Sequence, residues 1–284
     1  MNHAQSSGPP VILTIAGFDP SCGAGIGADL KTFAAHNCYG VAAITALTVQ
    51  NTEGVTAIHP VKSPTLKDSI QALLADGQVK AIKIGMLATR ANAEVVREIL
   101  DANPSLPAVL DPVLRSSTGI ELIDAAGFDY LREHLLKRVT IATPNLAEAE
   151  ALTGLKIENV EEMKVAGRKL MEMGARAVVI TGGHLEKPID VCFDQEGSES
   201  FTGDHVKPDN THGTGCAFSS AIACNLAFGR QLRDAVMLAK AFVTEAIRKA
   251  YATGPGRLPL NPLFRMQQTP RVLDHAPSVP EPVH

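Results

Sequence analysis

The sequence predicts an α/β fold with a mostly parallel central sheet covered by helices on both faces. Short apolar runs rich in β-branched residues alternate with helical segments along most of the chain. Parallel strands joined by helices require right-handed crossovers, which put helices on both sides of the sheet. The polar, glycine-bearing loops follow strands, where open α/β sheets hold their ligands.

Residues 1–10 read as a flexible lead-in ending in Gly8-Pro9-Pro10, and Val11 to Ala16 as a buried strand. The loop Gly17-Phe18-Asp19-Pro20-Ser21-Cys22-Gly23-Ala24-Gly25 feeds a helix from about Ile26 to His36. Gly23-Ala24-Gly25-Ile26-Gly27 lacks the full GxGxxG spacing, and no acidic residue closes a second strand, so a standard dinucleotide site is rejected. Val41–Gln50 is strand-like, and the alternating residues 51–61 suggest a small edge ribbon. Ser63-Pro64 opens a helix to about Ala75, with proline in the first turn and Asp76-Gly77 as the stop. Lys80–Ile84 is a strand, about 91–101 a helix, Ala108–Leu110 a strand, and 121–137 contains a helix. Val139–Ala142 leads through Thr143-Pro144-Asn145 into helices at about 146–152 and 159–173. Ala177–Ile180 is the next strand, and Ile189–Phe193 with Ser198–Thr202 form a hairpin. Helices from Cys216 toward Gly229 and from about Leu232 to Tyr251 complete one domain over 11–264, followed by a mobile tail over 265–284.

With 284 residues, 45% hydrophobic and 20% charged, the chain fits a soluble globular protein. A formal charge of -4 gives no nucleic-acid footprint. No apolar run approaches the roughly 20 residues of a membrane helix, and the polar N-terminus lacks the regions of a signal peptide. Five cysteines without a CxxC pair point to a reducing cytoplasm.

Chemistry gathers first at Asn210-Thr211-His212-Gly213-Thr214-Gly215-Cys216, a glycine turn running into a helix. Such a terminus exposes unpaired N–H groups and attracts anions, although an ordinary capped helix has the same pattern. Cys216 in the first turn is where a thiol pKa tends to fall. Asp111, Asn145 and Glu148 would suit Mg²⁺, with the last two sharing a helix face. Taken singly, they also read as a turn residue, a helix cap and a solvated first-turn acid.

Gly17-x-Asp19-Pro20-Ser21-x-Gly23-Ala24-Gly25-Ile26-x-Ala28-Asp29-Leu30-Lys31-Thr32 resembles the N-terminal signature of hydroxymethylpyrimidine/phosphomethylpyrimidine kinases, members of the ribokinase superfamily. Thr45-Ala46-Leu47 with Gln50-Asn51-Thr52, Lys83-Ile84-Gly85-Met86-Leu87, Leu110-Asp111-Pro112-Val113 and Thr143-Pro144-Asn145-Leu146-x-Glu148 follow in family order. Gly182-Gly183-His184 and the Asn210–Cys216 stretch complete a resemblance over about 11–256. It implies a ribokinase-like fold and ATP-dependent, Mg²⁺-dependent phosphorylation of 4-amino-5-hydroxymethyl-2-methylpyrimidine and its monophosphate in thiamin biosynthesis. By that resemblance Gly17, Asp29, Gln50, Met86 and Val113 line the pyrimidine pocket, with Asp29 bonding the substrate. Asp111, Asn145 and Glu148 hold Mg²⁺ directly or through water, and Gly213, Thr214 and Gly215 form the anion hole. Cys216 stands where sugar kinases of the superfamily carry an aspartate base, so that it is either a thiolate base or a small thiol packed under the turn. Lys240, Thr181 and Gly183 lie at the nucleotide, and a homodimer is expected. The chain departs from the family pattern at Cys22, usually glycine, at Gly27, commonly Gln, and at Thr181, often Lys. Pyridoxal or pyridoxine kinase is the enzymatic alternative, and a non-catalytic pyrimidine sensor, suggested by Thr181, the alternative of another class.

Overall fold

The computed structural model describes residues 8–183, 188–203, 206 and 211–266. The first seven residues of the expected lead-in, most of the expected tail (267–284), His184 and Asn210 lie outside the described residues. The strands of the main sheet are β1 (Val11–Phe18), β2 (Tyr39–Gln50), β3 (Val55–Pro60), β4 (Val79–Ile84), β5 (Ala108–Leu110), β6 (Ile141–Ala142), β7 (Val178–Ile180), β8 (Ile189–Asp194) and β9 (Gly197–Thr202). The helices are α1 (Gly25–Ala35), α2 (Ser63–Ala75), α3 (Arg90–Ala102), α4 (Ala125–Tyr130), α5 (Leu146–Thr153), α6 (Val160–Glu172), α7 (Thr214–Ala227) and α8 (Leu232–Arg248).

Side-chain alternation along the strands builds the two layers. Leu13 and Ile15 on β1, Ile82 and Ile84 on β4, and Val178 and Ile180 on β7 join one buried cluster. Residues of α2, α3, α5 and α6 pack on that face, Leu66, Val96, Leu152 and Leu170 among them. The alternate positions Ile12, Ala81, Val109 and Val179 face a second cluster built by Phe33 of α1, Phe218 and Ile222 of α7, and Val236 and Phe242 of α8.

The sheet has nine strands in the order β3-β2-β1-β4-β5-β6-β7-β8-β9. From β2 through β7 neighbouring strands are parallel, while β3, β8 and β9 pair antiparallel at the two edges. The chain leaves β1 toward β2 on one side and returns to β4 on the other, so the strand order reverses between β1 and β4. Ligands in such sheets sit beyond the carboxyl ends at that reversal.

One sequence expectation changed. The helix expected within 121–137 starts only at Ala125, because Asp124 caps it by accepting from Gly127 N–H at 2.6 Å. Residues 121 and 123 are held in bridges to Arg115 and Ala88 instead, and Leu131–Leu135 forms a π-helical turn. The residues expected as a small edge ribbon contain β3, an edge strand of the main sheet. A further parallel pair was not foreseen, β10 (Thr211–His212) with β11 (Leu258–Pro259), because two-residue strands carry no readable period.

The close packing of α6 on β8 yields a test. A Cβ on Gly167 would overlap the Phe193 ring, which is buried. Alanine favours a helix over glycine by about 1 kcal/mol, whereas overpacking a core costs about 1–3 kcal/mol. Gly167→Ala should therefore destabilise the fold in urea unfolding, and adding Phe193→Leu should recover most of the loss. A stabilising Gly167→Ala would contradict this packing.

Candidate active site

Gln50 ends β2, Gly17 lies near the end of β1, and Met86, Asp111, Asn145 and Thr181 follow β4, β5, β6 and β7. In sheet order they are consecutive, so one line of strand ends carries them. A small apolar cluster stands around Met86 at the end of β4. A Cβ on Gly17 would come within 2.7 Å of Met86 Sδ, so the glycine makes room for that thioether. Met86 clusters with Ala46, Val55 and Leu122, flanked by Val113, and its carbonyl accepts from Thr45 Oγ1 at 2.5 Å. Gln50 Nε2 lies 3.0 Å from His212 Nε2, and that same nitrogen is 3.3 Å from Asp19 Oδ2. Burial would raise the Asp19 pKa, but hydrogen bonds from His212, Ser21 and Ala24 outweigh it and hold the carboxyl below its usual range.

The anion-binding end is built by close backbone approach. Gly213 caps α7 in the left-handed region at φ 85, and a Cβ there would run into the Gly23 carbonyl. Gly25, at φ 54, meets the Gly17 carbonyl in the same way. The first α7 residues therefore present their N–H groups beside the first loop. A Cβ on Gly215 would stand 3.7 Å from both Asp111 carboxylate oxygens, which places that carboxylate at the helix terminus.

Cys216 requires a correction. Burial is the largest influence on its thiol and pushes the pKa up to about 12. The Lys83 ammonium and the Gly25 N–H pull it down, but the Asp111 and Asp29 charges add to the rise. A helix terminus lowers a thiol pKa by stabilising the thiolate; here desolvation and two carboxylates defeat it. At neutral pH the group is a thiol, and it hydrogen-bonds to Asp111.

Asp29 is also placed differently from its expected substrate contact. It is fully buried. Thr14 Oγ1 donates to its Oδ2 at 2.6 Å, Ser220 Oγ donates to its Oδ1 at 2.8 Å, and Lys83 Nζ lies 3.0 Å from both oxygens. Lys83 is fully buried too, and 4.0 Å from Asp111. Burial would lower the Lys83 pKa, but the Asp29 carboxylate, then Cys216 and Asp111, overcome it and hold the ammonium above its usual range. Lys83, Thr14, Ser219 and Ser220 were missed as site residues. Their signal was a polar side chain inside an apolar strand or helix, as in Val79-Lys80-Ala81-Ile82-Lys83-Ile84.

Asp111 is buried, and its pKa is raised, first by burial and then by Asp29, against lowering by Lys83, Cys216 and Ser219. Ser219 Oγ lies 3.4 Å from its Oδ2. Glu148 is buried rather than solvated, and burial followed by the Asp111 charge lifts its pKa to about 8, against hydrogen bonds from the Asn145 and Leu114 N–H groups. Two buried carboxylates with raised pKa values, one of them lifted by the other's charge, are what a divalent cation relieves. Among the described residues no group of three His, Cys, Asp or Glu gathers around one point. Asp111 and Glu148 thus fit a cation that keeps waters and phosphate oxygens as its other ligands. Asn145 instead closes a capping box: its Oδ1 accepts from Glu148 N–H at 3.0 Å, and Glu148 Oε2 accepts from Asn145 N–H at 2.9 Å. The cap orients Glu148 and leaves the Asn145 amide oxygen a second lone pair.

Thr181 N–H donates to the Pro144 carbonyl at 3.0 Å, so the loop after β7 lies beside Asn145. Gly183 is exposed there, with open space where a Cβ would be. Lys240 Nζ donates to Asp190 Oδ2 at 2.8 Å, and Asp190 Oδ1 accepts from Gly182 N–H at 3.1 Å. Lys240 therefore supports this loop through Asp190. Two departures from the family pattern prove to be linked. Cys22 holds the left-handed region at φ 54, and a Cβ on residue 27 would come within 2.7 Å of its Cβ and Sγ. Gly27 is the space that the Cys22 side chain occupies.

Residues 19–261 match the phosphomethylpyrimidine kinase family. The hydroxymethylpyrimidine/phosphomethylpyrimidine kinase of Aquifex aeolicus is 41% identical over 248 residues, covering 87% of this chain and 97% of that protein. The crystal structure of phosphomethylpyrimidine kinase from Clostridium difficile is 38% identical, with a TM-score of 0.75 over 84% of this chain and 99% of that one. The pyridoxal kinase of Staphylococcus aureus in complex with AMP-PCP and pyridoxal is 32% identical, with a TM-score of 0.82 over 91% of this chain and 96% of that one. A nine-stranded, mostly parallel sheet with its strand-end site and a match over most of its length make this chain a phosphotransferase of the phosphomethylpyrimidine kinase family.

Proposed function

We propose that this kinase transfers the γ-phosphoryl group of ATP to the hydroxymethyl group of 4-amino-5-hydroxymethyl-2-methylpyrimidine, and then to the resulting monophosphate, in thiamin biosynthesis. The observation that carries the reading is the line of adjacent strand ends. An apolar slot with one amide, formed by Gly17, Met86, Val113 and Gln50, stands at one end, and the α7 terminus with Asp111 lies farther along. A flat heterocycle in the slot would present its hydroxymethyl group to the helix terminus. Nucleotide phosphates would lie toward Thr181, Gly183 and the loop that Lys240 supports through Asp190.

Phosphoryl transfer passes through a loose transition state, so positioning and charge stabilisation dominate. The N–H groups of Gly213, Thr214 and Gly215 would meet the peripheral oxygens of the moving group. Asp111 and Glu148 would hold Mg²⁺, which supplies neutralisation of phosphate charge when bound. The hydroxyl oxygen forms its bond to phosphorus as the bond to the ADP oxygen breaks. Its proton passes to the Cys216 sulfur as the thiol proton moves to an oxygen of the transferred phosphoryl group, so no standing thiolate is needed. In the second transfer the nucleophile is a phosphate oxygen that is already anionic, and this relay is idle.

Pyridoxal kinase remains a second reading because the solved pyridoxal kinase overlays with the higher TM-score, 0.82 against 0.75. Sequence identity favours the pyrimidine, at 38% against 32%. The kcat/KM ratio for the two rings decides between them, since a site built to bond one set of polar groups rejects a ring lacking them. The five free cysteines suit a reducing cytoplasm. Among the described residues no helix is long and apolar enough to cross a membrane. We also infer a homodimer through the exposed β2 face, where Leu47 and Val49 are 48% and 52% accessible.

Three outcomes are expected. Cys216→Ala should slow the first phosphorylation by about 10²-fold, the low end for a proton-transfer group, and the second by much less, read by chromatography that resolves mono- from diphosphate. Equal losses would point to a disturbed helix terminus. Glu148, raised from 4.5 to about 8, favours the protonated form in the fold. Its stabilising contribution is present below the unfolded pKa and is lost as pH climbs through about 8. Metal-free protein should therefore lose Tm over that range, and Mg²⁺ should raise Tm more at about pH 8.5 than at about pH 5.5. Titration calorimetry should show close to one proton released per Mg²⁺ near pH 6.5, fading above about pH 9; no release would remove Glu148 from the cation site. Light scattering should report a dimer, which Leu47→Asp with Val49→Asp should shift toward monomer.

A further inference from the structure

The cleft beside Gln50 is rimmed by two loops that come from opposite sides of the reversal point. One is 51–54, after β2; the other is 115–121, beyond β5 and Val113. The cleft is lined by Gln50, Asn51, Thr52, Ser116, Ser117 and His212, among others. The second loop is a small hairpin in its own right. Ser116 N–H donates to the Ile120 carbonyl at 2.8 Å, Ile120 N–H donates to Ser116 Oγ at 3.0 Å, and Arg115 pairs with Glu121. The two loops touch each other where a Cβ on Gly54 would lie 3.0 Å from Thr118.

A third segment joins them. Arg257 N–H donates to the Thr52 carbonyl at 2.8 Å, Gly256 N–H donates to Thr52 Oγ1 at 3.2 Å, and the Arg257 guanidinium donates to the Ser117 carbonyl at 2.9 Å. The approach is so close that a Cβ on Gly256 would overlap the Thr52 carbonyl, and one on Gly254 would lie 2.7 Å from Thr52 Oγ1. Immediately after Arg257, β11 pairs with β10, so the same segment also fastens Thr211 and His212 ahead of the anion-binding glycine. One residue thus meets both rim loops directly and adjoins the strand that enters α7.

We propose that Arg257 is a positioning residue that holds the rim of the ring pocket closed, coupling the loops at 51–54 and 115–121 to the segment leading into α7. It touches no reacting atom and acts through Thr52 and Ser117. Loss of its guanidinium frees the hairpin, lowers the share of molecules with a formed pocket, and weakens ring binding by that fraction. The nucleotide end, on β6 and β7, keeps its own supports. The choice of ring substrate rests on the proposed function above; the loop coupling does not.

Hydrogen exchange on the full chain, read by mass spectrometry, compares the wild type with Arg257→Ala and Arg257→Lys. Arg257→Ala should speed exchange in 115–121 by about tenfold, the size of one charge-assisted hydrogen bond. Residues 51–54, held through backbone N–H groups that alanine keeps, and β1 and β4 should stay close to their former protection. The KM for the hydroxymethylpyrimidine should rise about tenfold with kcat and the ATP KM within about twofold. Arg257→Lys, which keeps a charged donor, should restore most of both. Unchanged exchange in 115–121, an unchanged ring KM, or equal losses at both substrates with faster exchange throughout would each overturn the proposal. If the wild type turns over no pyrimidine, the function assigned above fails, and the exchange data alone decide the coupling.

Discussion

The buried pair of Lys83 and Asp29 is the constraint on which the site rests. Two full charges without solvent contact are expensive to bury, and they persist only when each has partners in good geometry. Here Thr14 from β1, Ser220 from α7 and Lys83 from β4 satisfy the carboxylate of α1. Breaking such a pair by removing one partner costs about 3–5 kcal/mol, so these four elements keep a fixed relation. The anion-binding terminus of α7 and the first loop inherit that fixity, which is what phosphoryl transfer asks of its surroundings.

The same pair sets the electrostatics above it. Lys83 is balanced by Asp29, so the nearby Asp111, Glu148 and Cys216 have little positive charge to share. Burial then pushes all three toward their protonated forms. The region is therefore short of positive charge, which supports the proposed binding of a cation together with phosphates. Asn145, expected as a ligand, contributes by fixing the helix on which Glu148 stands.

The parts of this arrangement that the sequence made legible are those with a period or a repeated local rule. Alternating Leu13, Ile15 and Ile12 marked a strand covered on both sides, and Ser63-Pro64 with Asp76-Gly77 bounded a helix. Met86 and Val113 could be named by resemblance; Met86 lies against Gly17, and Val113 packs on the same small apolar cluster. The errors concern partners remote in sequence. Asp29 seemed free for substrate because Lys83, 54 residues away, leaves no trace near it. The Cys216 thiol seemed activated because its helix position is local, whereas Asp111 and the desolvation around it are not. Cys22 and Gly27 looked like two unrelated departures until their shared volume was visible.

The strand order has a consequence for how the chain is made. Ile12, Ala81, Val109 and Val179 all lie on the face that α7 and α8 help to cover, and α1 precedes those helices by most of the chain. A ribosome that has released β1 through β7 has thus exposed a broad apolar surface whose main cover, residues 214–248, is still to be synthesised. Asp29 waits equally long for Ser220. Surfaces of this kind are where nascent chains associate wrongly or recruit chaperones. The arrangement that sets the α7 terminus against a preformed sheet therefore makes that helix among the last pieces to arrive, and the face it covers the last part of the core to close.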